Sequence, residues 1–143
     1  MPFTAMVNFV RSNLKEKFHL LVFGTTSQYL LVADMCELGL VVKPTVAEMG
    51  ATIYCLNTGS VQSLLELGYL ERLSSKLSKQ STQHRHSCSE VVEAFTAFYE
   101  DVNTTLSTSE KQRMGWGSIT AEHSLCKMKW MLKKGFYAAM AEQ

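Results

Sequence analysis

The chain has 143 residues, 46% apolar and 19% charged, with a net charge of +1. This length makes one domain large enough to bury a core without covalent staples, and the composition excludes a disordered chain. The near-neutral balance gives no general attraction to nucleic acid or lipid, so neither is an expected partner.

The first helix is expected over residues 4–18, capped by Thr4 and buried through Met6, Val7, Phe9, Val10 and Leu14, with Arg11, Lys15, Glu16 and Lys17 outward. A second spans residues 27–38 and closes on Gly39, which tolerates the left-handed backbone of a helix end. Pro44 opens a shorter third helix that reaches residue 56 with Val46, Met49, Ile53 and Leu56 on one face. Asn57-Thr58-Gly59 stops it, and Ser60 caps a fourth helix carrying Val61, Leu64, Leu65, Leu67, Leu70, Leu73 and Leu77.

Residues 74–89 turn to Ser, Lys, Gln, Thr and His and read as a connector or a frayed helix end. Residues 89–106 then place Val91, Val92, Ala94, Phe95, Ala97, Phe98, Tyr99 and Val102 on more than one stripe. A helix apolar on several sides needs neighbours all round, so this one, capped by Ser89 with Glu90 and Glu93 in its first turn, is the expected centre. A polar stretch at 107–112 follows, then a helix with Ile119, Leu125, Met128 and Met131, and a short piece after Gly135. No segment alternates with a period of two and no repeat occurs, so the expected fold is an all-α bundle in a single domain.

Chemistry is sparse. Cys36, Cys55, Cys88 and Cys126 stand far apart in no paired metal spacing, and the chain opens on no charged-then-apolar leader, which together suggest a reducing, cytoplasmic setting. The runs at 20–23 and 29–33 fall far short of the ~20 apolar residues of a spanning helix, so a soluble protein is expected. The His84-Arg85-His86-Ser87-Cys88 cluster lacks a fourth zinc ligand, and His123 with Cys126 reads as surface and core. There is no glycine-rich phosphate cradle, no nucleophile elbow and no carboxylate pair on one face, so neither catalysis nor a cofactor is expected. Lys127, Lys129, Lys133 and Lys134 form either a solvated face or a phosphate-binding strip. The apolar faces of helices three and four either pack on each other or wall a groove for an amphipathic partner helix.

Several segments together resemble the Bcl-2 family of apoptosis regulators. Trp130-Met131-Leu132-Lys133-Lys134-Gly135-Phe136-Tyr137-Ala138-Ala139-Met140 is similar to its second motif, Trp-Ile-x-x-x-Gly-Gly-Trp-x-x-Phe. Val7-Asn8-Phe9-Val10, with Leu14 and Lys17, resembles its fourth motif. Tyr29-Leu30-Leu31-Val32-Ala33-Asp34 is similar to the third motif, Leu-x-x-x-Gly-Asp, with the Val-x-x-x-Gly-Ala of residues 46–51 as a rival. Leu56-Asn57-Thr58-Gly59-Ser60 resembles the family's turn into its fourth helix. The first motif, Asn-Trp-Gly-Arg, should open the central helix, yet only Gln83-His84-Arg85-His86 stands there. Met114-Gly115-Trp116-Gly117-Ser118 looks like that motif superficially, and Trp116 is read instead as core packing.

The resemblance implies an inhibitor of apoptosis that sequesters the amphipathic death-signal helix of Bim-like and Bax/Bak-like pro-apoptotic proteins. Its groove would be lined by Met49 and Ile53, by Leu64, Leu67 and Leu70, and by Val91, Val92 and Phe95. Arg85 is the nearest cation for the ligand's aspartate, a charge-assisted bond of about 1.5–3 kcal/mol. Short loops, degenerate motifs and no carboxyl-terminal anchor suggest a viral member of iridovirus type, acting in the host cytoplasm with recruitment to the mitochondrial surface. An exposed apolar groove suggests a homodimer when empty. The same fold could instead block inflammatory adaptors through another face, and a basic helical nucleic-acid binder using Lys127 to Lys134 is a further alternative.

Overall fold

The structure, a computed structural model, describes residues 2–13, 25–71 and 86–133. Expectations for Leu14 to Lys17, for Leu73 and Leu77, for His84 and Arg85, and for Lys134 onward lie outside the described residues. The described residues form seven helices and their connecting turns, and none is strand. The all-α bundle read from periodicity is what the chain forms. No helix among the described residues is long and apolar enough to cross a membrane.

α1 (Phe3–Val10) buries Phe3, Val7 and Val10, the 4-then-3 spacing of one helix face. Phe9 falls off that face and is 54% exposed. Thr4 is not the cap: Pro2 occupies that position, and the Thr4 hydroxyl lies 3.1 Å from Thr52 Oγ1 instead. α2 (Thr25–Glu37) buries Tyr29, Val32, Ala33 and Cys36, then stops at Gly39 with φ +73° while the Leu40 amide donates to the Met35 carbonyl.

α3 (Val46–Leu56) starts in a capping box. The Thr45 hydroxyl accepts from the Glu48 amide at 3.2 Å, and the Glu48 carboxylate accepts from the Thr45 amide at 2.9 Å. Pro44 therefore stands before the cap rather than in the first turn, and its carbonyl accepts the Ser118 hydroxyl at 2.7 Å. Asn57, at φ +47°, closes α3. α4 (Gly59–Glu66) has Thr58 at its N-cap with no side-chain bond, so Ser60 is its second residue and not the cap.

α5 (Cys88–Thr105) is capped by Ser87, which forms a box with Glu90; Ser89, the expected cap, is the second residue of the helix. The polar stretch that follows is itself helical: Ser107 and Glu110 box the start of α6 (Thr108–Met114), which ends at Gly115 with φ +59°. α7 (Ser118–Lys133) completes the described chain.

The helices pack as three pairs, α3 with α5, α4 with α7 and α1 with α2, the first pair being the most extensive. α3 also touches α1, α4 and α7, so this 11-residue helix joins the pairs. α5 is one-sided in place. It buries Val91, Ala94, Phe95 and Phe98 but exposes Ser89, Glu90, Glu93, Ala97, Glu100 and Asp101. Small Ala97 does not demand burial, and the four charges require water. The expected centre at residues 89–106 is thus a flank, and α3 is the hub. α7 is more enclosed than α5, since from Ser118 to Met128 only Lys127 is exposed. Trp116 stacks on Tyr99 with ring centroids 5.4 Å apart and planes 16° off parallel, fastening the turn before α7 to α5.

Candidate functional site

The residues expected to line a groove converge, but on one another. Met49, Ile53, Leu64, Val91 and Phe95 are 0–1% exposed and Leu70 is 5% exposed, all in a single core cluster. Val92 is half-buried and Leu67 is 42% exposed. Arg85 lies outside the described residues. What was read as the lining of an open trough is a filled seam, because the apolar stripe of α3 lies along the apolar face of α5.

The contact has a defined closest point. A Cβ placed on Gly50 would stand 2.8 Å from the Cα of Val92, so only the missing side chain lets the two backbones come this near. Around it Met49 and Ile53 are buried and Val46 is packed against the core. The seated helix is thus amphipathic, with a glycine at the crossing.

A second feature lies elsewhere. A cavity of about 600 Å³ is lined by Tyr29 and Leu30 of α2, by residues 56–59 at the α3–α4 turn, and by Glu122, His123, Cys126 and Lys127 of α7. None of the expected groove residues lines it. The small residues of α4 let it lie close against α7 here. The Ser60 hydroxyl donates to Glu122 Oε1 at 2.8 Å, the Cys126 thiol donates to the same oxygen at 3.0 Å, and the Ser63 hydroxyl donates to the Leu125 carbonyl at 2.6 Å.

Glu122 is only 1% exposed, and its second oxygen has no hydrogen-bond partner. Burial, followed by the neighbouring Glu122 carboxylate, pushes the Tyr29 phenol well above its ordinary value. The same two causes raise the Cys126 thiol, which keeps its proton and is no nucleophile at neutral pH. Tyr29 is held edge-on between Phe3 and His123, at centroid distances of 5.7 and 5.6 Å.

Set against protein-family models, curated proteins and solved structures, the chain matches none. The site must therefore be read from its own geometry. Among the described residues no cluster of three His, Cys, Asp or Glu is placed to hold a metal. His123 and Cys126, read from sequence as surface and core, both line the cavity. Sequence reasoning missed Glu122 and gave Ser60 the role of a helix cap. The available signal was the small-residue face Gly59, Ser60 and Ser63 opposite a lone glutamate on a helix otherwise suited to the core.

Proposed function

We propose that this chain is a Bcl-2-like inhibitor of host-cell apoptosis, which sequesters the amphipathic death-signal helix of a pro-apoptotic partner on the face of α5 that α3 covers. The observation supporting this reading is the seating of α3: an amphipathic helix lies on α5 with Gly50 at the crossing and apolar residues three and four positions away. Residues 46–51 are the rival match to the family's third motif, the motif by which death-signal helices are held. On this reading the chain's own α3 occupies the place of the ligand, and capture proceeds by exchange. Val91, Phe95 and the half-buried Val92 form the receiving surface, and apolar burial at ~25 cal/mol per Å² drives the capture without catalysis.

The partners are Bim-like or Bax/Bak-like proteins in the host cytoplasm, and a captured partner brings the chain to the mitochondrial surface. The free protein is taken as a homodimer, with exposed Leu38, Leu40 and Val42 as apolar surface to be covered. A monomeric mass by sedimentation at micromolar concentration would count against that part alone.

Titration of labelled death-signal peptides, followed by calorimetry, tests the central statement. One-to-one saturable binding is expected, weakened by Val92→Glu, which sets a charge on the receiving face. Absence of binding by every peptide of a panel at high micromolar concentration overturns it.

A further inference from the structure

The cavity between α2, the α3–α4 turn and α7 plays no part in capture on α5, yet it has the attributes of a built site. Its volume of about 600 Å³ lies within the range of ligand pockets, roughly 300–1,000 Å³, and far above the ~30 Å³ share of one water. Its walls combine apolar side chains (Tyr29, Leu30, Leu56) with polar groups whose needs are unmet. Three lining residues carry a buried polar atom with no partner: Glu122 Oε2, His123 Nε2 and Thr58 Oγ1. Native proteins rarely leave such atoms unpaired, because each costs about 1–3 kcal/mol.

All three atoms can act as acceptors: a carboxylate oxygen, a hydroxyl, and an imidazole nitrogen when the ring proton is on Nδ1. Glu122 Oε1 is already taken by the Ser60 hydroxyl and the Cys126 thiol, and the Tyr29 phenol is close enough to Glu122 to feel its carboxylate without completing a hydrogen bond to Oε2, so Oε2 is the oxygen left to receive. The complementary group therefore has several donors and, opposite a carboxylate, a positive charge. An anion is disfavoured by Glu122. Lys127 shares the lining but is exposed, so water screens its charge.

We propose that this cavity binds an alkylguanidinium group, its planar N–H fork turned to Glu122 and its aliphatic stem against Tyr29, Leu30 and Leu56. The same chemistry is offered by a free small guanidine and by an arginine side chain of a partner protein.

The test is an NMR titration of isotope-labelled protein with butylguanidinium, using butanol and butyrate as controls. Saturable shifts at Tyr29, Gly59 and His123 are expected with butylguanidinium and with neither control. Glu122→Gln should weaken binding about tenfold or more, the effect of losing one charge-assisted bond. Leu30→Trp, which fills the cavity from a partly exposed position and leaves the carboxylate intact, should abolish it. An arginine peptide that displaces butylguanidinium assigns the site to a partner side chain, and resistance to such peptides assigns it to a small molecule. Equal shifts with butanol, or no saturable shift at all, overturn the proposal and leave a water-filled void.

Discussion

Gly50→Ala probes the α3–α5 seam most directly. The added methyl would stand 2.8 Å from Val92 Cα and 3.3 Å from its Cγ2. The nearer atom belongs to the backbone and cannot rotate away, so the two helices must part. Overpacking of this kind costs about 1–3 kcal/mol, and alanine returns about 1 kcal/mol of helix propensity, which leaves a net loss of roughly 0–2 kcal/mol. Urea denaturation followed by circular dichroism should show the midpoint fall with little change in slope. Ala47→Gly, on the exposed side of α3, measures the propensity component alone, at about 1 kcal/mol. If capture proceeds by exchange with α3, a loosened seat should also raise peptide affinity, by up to about 30-fold, in proportion to the stability lost, since the competent state becomes more populated. A Gly50→Ala protein more stable than the parent by the full propensity component, as Ala47→Gly measures it, refutes the close-approach argument. One that is less stable but binds peptide no tighter refutes exchange.

Ser60→Ala removes a buried donor from Glu122 and should cost about 1–3 kcal/mol, whereas Ser89→Ala, at an exposed non-capping position, should cost little; equal midpoints for the two would contradict the assignment of Ser60 to the α4–α7 contact. The acid limb of stability should depend on the boxes at Ser87 and Ser107. There, hydrogen bonds from Ser87 hold Glu90, and hydrogen bonds from Ser107 hold Glu110, below the ordinary carboxyl value of 4.5. The unfolded chain binds protons first as pH falls, so this small contribution is complete above that value and lost as pH drops through the folded ones; Ser87→Ala should flatten the limb. At the other end, burial raises Tyr29 and Cys126 above their ordinary 10.0 and 9.0, so the contribution is complete below those values and declines as pH rises past them. Tyr29→Phe should shallow that alkaline decline, and an unchanged profile would contradict the burial of the phenol.

Local structure was legible wherever the signal was local. Apolar spacing placed six of the seven described helices, Gly39 marked the end of α2, and the start of α5 was read to within two residues, whereas α6, which buries no residue, gave no apolar signal and was read as a polar stretch. What failed depended on partners far along the chain. Ser60 looks like a cap because it precedes an apolar run, but its partner Glu122 lies 62 residues away. α5 looked central because exposed Ala97 and half-buried Val92, Tyr99 and Val102 were counted with residues that must be covered. α3 looked minor because Gly50 and Thr52 weaken an apolar count, although both are buried and the glycine is what permits the tightest helix contact. Of the groove residues expected from pattern and resemblance together, Met49, Ile53, Leu64, Leu70, Val91 and Phe95 are buried in one core cluster, yet nothing in their spacing distinguishes a filled seam from an open one.

The position of α3 constrains how this protein can respond to anything that binds it. A segment that touches four neighbours cannot swing out as a detached flap, since its departure withdraws support from α1, α4 and α7 together. Opening at α5 would thus be felt as slackening at the far side of the molecule, beside Glu122, and amide exchange there should quicken when a foreign helix is taken up.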